Sequence, residues 1–301
     1  MLVALGASGC FLDRAPLEGP LDAGRRDAGP ARDAGGDGDD AGSDAGLPDA
    51  GLPDAGPPDA GPPDAGPPDS GPPIGPLTVT DGLLVHFDAR RVAGDTTPVP
   101  SPPTWIDLTG GNDATCNNVR LVADGIGAGR PAMQTTGDSL SKCEFPIPDF
   151  GDLTIFVALR TTDTTPGPTW WQSPVIVGGD TAGERRDAAL FLSAGSVGFA
   201  RRNATFQSTL HIADGAPHVV SLLRVRTSGE TTIRVDADAV ESSVLDAERY
   251  IEHPDTWWLA SHGIEGNGAF AAHYGEILIY TRALSPSELD AVSAYLRARW
   301  L

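Results

Sequence analysis

Residues 219–235 read VVSLLRVRTSGETTIRV, two β-branched and apolar runs separated by the turn-forming segment TSGE. In the second run, Ile233 and Val235 alternate with the polar residues Thr232, Arg234 and Asp236. Successive side chains of a strand point to opposite faces of its sheet, so the alternation predicts one buried and one polar face. This stretch is therefore predicted to form an antiparallel hairpin.

Short apolar runs separated by Gly, Pro, Asn and Asp continue on both sides of the hairpin. With its two arms, 219–226 and 231–236, the predicted strands are 83–88, 132–135, 153–160, 174–177, 188–192, 196–201, 257–260 and 274–280. Short strands at this spacing, without helical periodicity between them, are typical of an antiparallel two-sheet sandwich. The fold class is predicted to be all-β.

One helix is predicted at the end of the chain. Ser285 is a suitable N-cap, Pro286 suits the first helical position, and Glu288 completes a capping box. The apolar residues that follow recur on one face, which should lie against the sandwich: Leu289, Val292, Leu296 and Trp300.

The first quarter of the chain has a different composition. From residue 44 it settles into a five-residue repeat of the type Pro-Asp-Ala-Gly, and it contains few large apolar side chains. Proline stiffens such a chain, glycine loosens it, and the regular aspartates repel each other. Residues 11–76 are therefore predicted to form a disordered, extended linker before one globular domain, 77–301. The alternative, a calcium-binding repeat, needs apolar positions that this stretch lacks.

The net charge of −20 restricts the partners. Residues 1–76 carry 14 acidic and 4 basic residues, and the remainder carries 27 and 17. A chain so acidic is repelled by nucleic acid and by anionic lipid, so no nucleic-acid partner is expected. No apolar run approaches 18 residues, so no membrane-spanning segment is expected either.

Cys10 follows the small residues Ala7-Ser8-Gly9 and an apolar stretch, 2–5. This segment resembles the lipobox of bacterial lipoproteins, in which the cysteine is lipidated after cleavage. The resemblance makes 1–10 a shortened signal segment and predicts a lipid anchor at Cys10, with the protein on the outer membrane or cell surface. The alternative is a cytosolic protein in which this cysteine is incidental.

Cys116 and Cys143 both lie in the globular part. An even number of cysteines in an exported domain favours a disulfide, and two buried thiols are the alternative. No second Cys or His pair flanks either residue, so the spacing does not suit a metal site.

Four segments carry a resemblance to a known family: GLLVHFDA at 82–89, WIDLTGGNDAT at 105–115, RPAM at 130–133 and YGEILIYTRALS at 274–285. Together they resemble concanavalin A-like lectin/glucanase domains, also called laminin G-like domains. The resemblance implies a jelly-roll sandwich over almost the whole globular region. It says less about activity, because the fold hosts lectins, adhesins, hydrolases and spacers.

Catalytic motifs are not evident in the sequence. Glycosidases of this fold family carry E-x-D-x-x-E on one strand, but Glu276 is followed by Leu278 where an aspartate is needed. Glu276 is therefore assigned a structural role. The six histidines are scattered without HExxH, no G-x-S-x-G elbow is present, and His218 is expected to be structural. An enzyme is disfavoured.

Trp170 and Trp171 are the candidate carbohydrate-binding residues. They lie in a Thr- and Pro-rich loop, and an exposed indole is a platform on which a sugar ring can stack. Adjacent residues of an extended segment face opposite ways, so at least one of the two is expected in the core. The other tryptophans are assigned to the core or to covering a sheet: Trp105, Trp257, Trp258 and Trp300.

Asp107, Asn112 and Asp113 are weak candidates for a structural calcium site, with an ordinary polar turn as the favoured alternative. No other cofactor is expected. Two arginine pairs, 185–186 and 201–202, are expected on solvated faces, where either could contact acidic polysaccharide.

These observations favour a non-catalytic, surface-tethered recognition module that binds polysaccharide or another cell-envelope partner. Two alternatives remain open at this stage: a divergent polysaccharide hydrolase or lyase of the same fold, and a structural adhesin or spacer that acts through protein contacts.

Overall fold

The structure is a computed structural model that describes residues 75–92, 104–148, 151–180, 187–202, 204–245, 255–264 and 266–301. The signal segment 1–10, nearly all of the linker 11–76, and the pair Arg185 and Arg186 lie outside these residues. The interpretations of those segments, including the anchor at Cys10, therefore stay predictions.

The described residues form sixteen strands and one α-helix. The strands are β1 Leu83–Asp88, β2 Thr104–Trp105, β3 Ala114–Asn117, β4 Arg120–Gly127, β5 Arg130–Gln134, β6 Lys142–Pro146, β7 Leu153–Arg160, β8 Val175–Gly179, β9 Ala188–Ser193, β10 Ser196–Arg201, β11 Ala204–His211, β12 Pro217–Arg224, β13 Glu230–Val235, β14 Ala239–Val244, β15 Thr256–Leu259 and β16 His273–Tyr280; the helix α1 is Pro286–Trp300.

The strands form two antiparallel sheets of eight strands each. Sheet 1 has the order β14-β13-β12-β7-β16-β5-β4, and β1 pairs with β16 beside β5. Sheet 2 has the order β11-β10-β9-β8-β15-β6-β3-β2. The two-sheet jelly-roll sandwich with a C-terminal helix is thus confirmed, and each of the ten predicted strands overlaps an observed one.

The core lies between the sheets and is rich in aromatic rings. Phe87 of sheet 1 packs against Trp105 and Phe145 of sheet 2, with ring centroids 5.3 Å apart in both pairs. In the predicted hairpin, Ile233 and Val235 are buried in this core, which confirms the direction expected from their alternation. Apolar burial of this kind is the main favourable contribution to folding.

Helix α1 packs on the outer face of sheet 1, against β7 and β12. Its capping box forms as predicted, because the Ser285 side chain accepts from the Glu288 N–H and the Glu288 carboxylate accepts from the Ser285 N–H. The four apolar residues predicted to face the sandwich are all buried. Trp300 lies so close to Gly275 of β16 that any Cβ there would clash with the indole.

Glu276 on β16 is fully buried beneath this helix. Its carboxylate accepts hydrogen bonds from Tyr295 Oη (2.9 Å), Arg299 Nε (2.8 Å) and Trp300 Nε1 (2.7 Å), and His86 Nε2 lies 2.8 Å away. Arg299 also pairs with Asp88. The carboxylate therefore joins three segments of the fold and is closed to any substrate.

Three further expectations can be compared with the structure. Cys116 and Cys143 form a disulfide at directly opposed positions of β3 and β6, as predicted.

Arg201, expected on a solvated face, is only 1% exposed, so that expectation was wrong. Arg201 is in phase with the core residues Val197 and Phe199 along β10, and the alternation turns it inward. In the described part of the chain, no helix has the length and apolar character needed to cross a bilayer.

Candidate functional site

The two candidate tryptophans lie in a short 3-10 turn, Trp170–Gln172, above the outer face of sheet 2. Trp170 is 4% exposed and donates from Nε1 to the Arg202 carbonyl at 2.9 Å, whereas Trp171 is 39% exposed. Their ring planes are 88° apart. The expectation that at least one would be buried is confirmed, and Trp171 is the one available to a ligand.

Trp170 anchors the turn to the sheet. It packs in a small apolar cluster with Val175, Ala189, Phe191 and Ala200, separate from the main core. Because this cluster and the Nε1 hydrogen bond fix the Trp170 ring, the backbone that carries Trp171 is held in place.

A groove of about 510 Å³ runs between this turn and the sheet. We call it the Trp171 groove. The loop contributes one wall, and β9 and β11 contribute the other; its lining residues are Gly167, Pro168, Thr169, Trp170, Trp171, Ser173, Phe191, Ser193, Thr205 and Gln207. The groove combines aromatic surface with hydroxyl and amide groups, which is a composition suited to a polar ligand with apolar faces.

Gly198 allows two lining residues of the groove to lie close together over β10. It lies on β10 directly between Phe191 of β9 and Gln207 of β11. A Cβ at this position would lie 2.4 Å from the Phe191 ring and 2.9 Å from the Gln207 amide oxygen. The missing side chain therefore makes room for the Phe191 ring and the Gln207 amide, which lie over Gly198 on the outer face of the sheet.

His262 supports the groove from behind. It is fully buried, and its Nε2 lies 2.7 Å from the Trp171 carbonyl. A carbonyl can only accept, and the Ile264 N–H donates to Nδ1, so these two contacts favour the neutral tautomer with hydrogen on Nε2; the Asp180 carboxylate lies 3.6 Å from Nδ1. Burial lowers the pKa of His262, which favours the same neutral form.

Sequence reasoning identified the two tryptophans but missed the residues from the sheet and His262. The missed strand β11 has a readable alternation, since Thr205 and Gln207 are exposed while Phe206 and Ser208 are buried. That signal could have placed the two polar side chains on an outer face. Nothing in the sequence pairs His262 with Trp171, because they are 91 residues apart.

The three calcium candidates meet in one turn, but their oxygens face hydrogen-bond donors. The Asp107 carboxylate accepts from the backbone N–H groups of His86, Thr109, Gly111 and Asn112. Asp113 accepts from the Asp107 N–H. These hydrogen bonds occupy both carboxylate oxygens of Asp107 and one of Asp113, so the arrangement fits the turn alternative. Calcium binding remains a prediction from the sequence.

The pKa of Asp107 is consistent with this arrangement. Burial acts to raise it, but the hydrogen bonds from Thr109, His86 and Gly111 outweigh burial and hold the pKa below its ordinary value. Across the described ranges, no group of three or more His, Cys, Asp or Glu side chains is placed to hold a metal ion.

The histidine and the tryptophans that the sequence assigns to structural roles lie in surroundings that suit those roles. His218 lies between two aspartates, with Nδ1 2.8 Å from Asp236 and Nε2 3.0 Å from Asp214. Trp105, Trp257 and Trp300 are buried in the core, and Trp258 is partly buried on the opposite face of β15 from Trp257. These positions agree with the roles assigned from the sequence.

No protein-family model and no curated protein matches the sequence. The fold is similar to solved structures. The binding domain of Paraclostridial Mosquitocidal Protein 1 aligns with a TM-score of 0.52 at 15% identity, over 71% of this chain and 52% of that chain. Botulinum neurotoxin type C, whose cell entry depends on interaction with two ganglioside molecules, aligns with a TM-score of 0.50 at 11% identity, over 72% and 51%.

Trypanosoma rangeli sialidase with the inhibitor DANA aligns with a TM-score of 0.51 at 15% identity, over 71% of this chain and 33% of the sialidase chain. The chain thus spans about half the length of the two toxin structures and a third of the sialidase. At these identities the likeness is one of fold alone.

Proposed function

We propose that the domain 77–301 is a non-catalytic recognition module that binds carbohydrate in the Trp171 groove. The observation that carries the proposal is an exposed indole, on a backbone held by Trp170 and His262, in a groove that polar side chains also line. Sugar rings have apolar C–H faces that stack on indoles and hydroxyl rims that need hydrogen bonds. Thr205 and Gln207 would supply those bonds from β11.

Two further observations support binding of a carbohydrate rather than its hydrolysis. Glu276, which occupies the strand that resembles the glycosidase strand, is buried under the helix and has no contact with the groove. The similar solved structures include a toxin binding domain and a toxin whose cell entry depends on gangliosides, beside a sialidase. The lipid anchor at Cys10 and a position on the outer membrane or cell surface belong to the same proposal, and rest on the sequence alone.

The test is binding of the full chain, carrying Cys10→Ser to prevent lipidation, to an array of polysaccharides and glycans. We expect a retained glycan, and Trp171→Ala should weaken its binding about tenfold because stacking on the indole is lost. Trp171 is exposed, so this variant should remain folded. Trp170→Ala is unsuitable, because it removes the anchor of the turn.

Leu140→Ala is the matched control, since Leu140 is a large exposed apolar side chain outside the groove. It should bind as the unchanged protein does. Equal binding by Trp171→Ala would contradict the proposed site. Release of reducing ends from a bound polysaccharide would favour the hydrolase alternative, and absence of any glycan binding would favour the adhesin or spacer.

A further inference from the structure

A second cavity of about 500 Å³ opens on the outer face of sheet 1, away from the Trp171 groove. We call it the Arg160 pocket. It is lined by parts of β4, β5, β7 and β16 and by the turns beside them: Val122, Asp124, Gly125, Gln134, Thr135, Thr136, Arg160, Thr161, Thr162, Ala271, Ala272 and His273. Tyr274, the next residue after His273, points into the core, where its hydroxyl bonds to the Ile176 carbonyl. His273 therefore points outward.

Four side chains form a row across this part of the sheet. Arg120 of β4 is opposite Gln134 of β5, Gln134 is opposite His273 of β16, and His273 is opposite Arg160 of β7. Directly opposed residues share a face and lie within about 5.5 Å of each other. Two arginines and a histidine are thus aligned on one face of a chain whose net charge is −20.

Within the described part of the chain, neither arginine of the row forms an ion pair with a carboxylate, and no carboxylate lies in hydrogen-bond contact with the His273 ring. Like-charged neighbours across strands destabilise a sheet. Asp124 is the one carboxylate in the lining, and it is engaged by the Gly129 N–H at 2.6 Å. Asp163, beside the pocket, is engaged by the N–H groups of Thr165 and Ala271.

Several hydrogen-bond donors of the row have no acceptor among the described residues. Arg160 donates from Nε to the Gly215 carbonyl at 2.7 Å, which fixes the guanidinium and leaves both terminal nitrogens without a hydrogen bond to a described residue. Gln134 accepts from Arg120 through its amide oxygen, so its NH₂ group is left over. His273 makes no side-chain hydrogen bond within the described part of the chain, and its ring nitrogens are not sealed from solvent.

We infer that the Arg160 pocket binds the carboxylate of an acidic sugar, with the Arg160 guanidinium and the His273 ring as its principal donors. A guanidinium presents two parallel N–H groups that match the two oxygens of a carboxylate. Two exposed threonines of the lining, Thr136 and Thr162, are suited to the sugar hydroxyls. The cavity volume lies in the range of pockets that hold small ligands.

The electrostatics of His273 agree with an anionic ligand. Burial lowers the pKa of His273, and the charges of Arg160 and Arg120 lower it further. An anion bound between these groups would reverse that effect by favouring the protonated ring.

The test compares methyl glucuronide with methyl glucoside, which differ in a single carboxylate, by calorimetric titration of the full chain carrying Cys10→Ser. We expect the glucuronide to bind at least tenfold more tightly, and binding to weaken as salt is added. Arg160→Gln should reduce glucuronide binding about tenfold or more. His273→Gln should also reduce it, and this variant keeps the bond between Arg160 and Gly215.

Arg297→Gln is the matched control, because it removes an exposed arginine of α1 outside the pocket. Trp171→Ala should leave glucuronide binding unchanged, so failure of the groove and failure of this pocket are distinguishable. Equal binding of the two sugars, or unchanged binding in both pocket variants, would overturn the inference. Binding of acetate or sulfate as tight as that of the glucuronide would overturn the assignment to a sugar.

Discussion

The side chain of Glu276 receives three donors from α1, and His86 of β1 lies beside it. Replacement by glutamine removes the charge that faces Arg299 and places an NH₂ group where an oxygen accepted two of these bonds. Loss of one member of a buried ion pair typically costs about 3 to 5 kcal/mol. We expect Glu276→Gln to lower the free energy of unfolding by about 3 kcal/mol in urea titrations.

Glu144→Gln is the control for this substitution. Glu144 is an exposed glutamate on β6, and its carboxylate makes no hydrogen bond to another described residue. Its replacement should change stability by less than about 0.5 kcal/mol. Equal effects of the two substitutions would mean that the contacts beneath the helix contribute nothing specific.

His218 makes stability depend on pH. Its hydrogen bond to Asp236 raises its pKa against the opposing effect of burial, and the bond to Asp214 raises it further. A histidine with a raised folded-state pKa contributes stability that is complete below its unfolded pKa of about 6.5 and lost as pH rises through the folded value. The stability difference between the unchanged protein and His218→Gln should therefore be larger at about pH 6 than at about pH 8.5.

Urea unfolding at both pH values measures this difference. His262 and His273, whose pKa values are lowered mainly by burial, change in the opposite sense, but they are present in both proteins and cancel. Leu140→Ala, which removes an exposed side chain that does not titrate, should show no such pH dependence. A difference that stays constant with pH would show that the two aspartates do not stabilise the charged ring.

The role of a single residue could be predicted from the sequence more reliably than its contacts with residues distant in the chain. The capping box of Ser285 follows from local geometry and was predictable. The burial of one of two adjacent tryptophans was also predicted, although they lie in a 3-10 turn and not in an extended segment. The support of Trp171 by His262 depends on a contact across 91 residues, which no local pattern contains. The expectation for Arg201 was wrong because it followed from the charge of the side chain and not from its alternation with the core residues of β10.

Among the elements, β3 and β6 are joined covalently as well as by backbone hydrogen bonds. The bond between Cys116 and Cys143 closes a loop of sequence separation 27. Closing such a loop reduces the entropy of the unfolded chain and stabilises the fold by about 3 to 4 kcal/mol. We expect reduction of the full chain carrying Cys10→Ser to lower its free energy of unfolding by that amount.

The comparison of the oxidised and reduced forms uses one chain, so no side chain is removed and no cavity is created. The double variant Cys116→Ala with Cys143→Ala should be insensitive to reductant and serves as the control. An equal stability of the oxidised and reduced forms would contradict the stabilising role of the bond.

Strands were predictable where apolar and β-branched residues dominate, as in β7 and β16. The six missed strands are short or polar: β2 has two residues, and β14 reads AVESSV with alternating exposure. Such strands are held by pairing with a neighbour rather than by their own composition. β4, which lines the Arg160 pocket, was missed for the same reason, and the pocket was missed with it.

At the scale of the whole molecule, the sandwich was predictable because many short apolar runs each indicate a strand. The family resemblance at residues 82–89 and 274–285 supports the same fold. The two cavities were not predictable. Each is assembled from a loop and from strands distant in sequence, such as Thr136, Arg160 and His273 around one of them. The order of strands in a sheet determines such neighbours, and composition does not reveal that order.

The position of β16 has a consequence for synthesis. This strand occupies the middle of sheet 1, where it pairs with β1, β5 and β7, yet it is the last of the sixteen described strands in sequence order. During synthesis, β1, β5 and β7 therefore cannot pair with their common neighbour until residues 273–280 have been made. Contacts this remote form slowly. We expect the domain to assemble in one late step, after its final residues have left the ribosome.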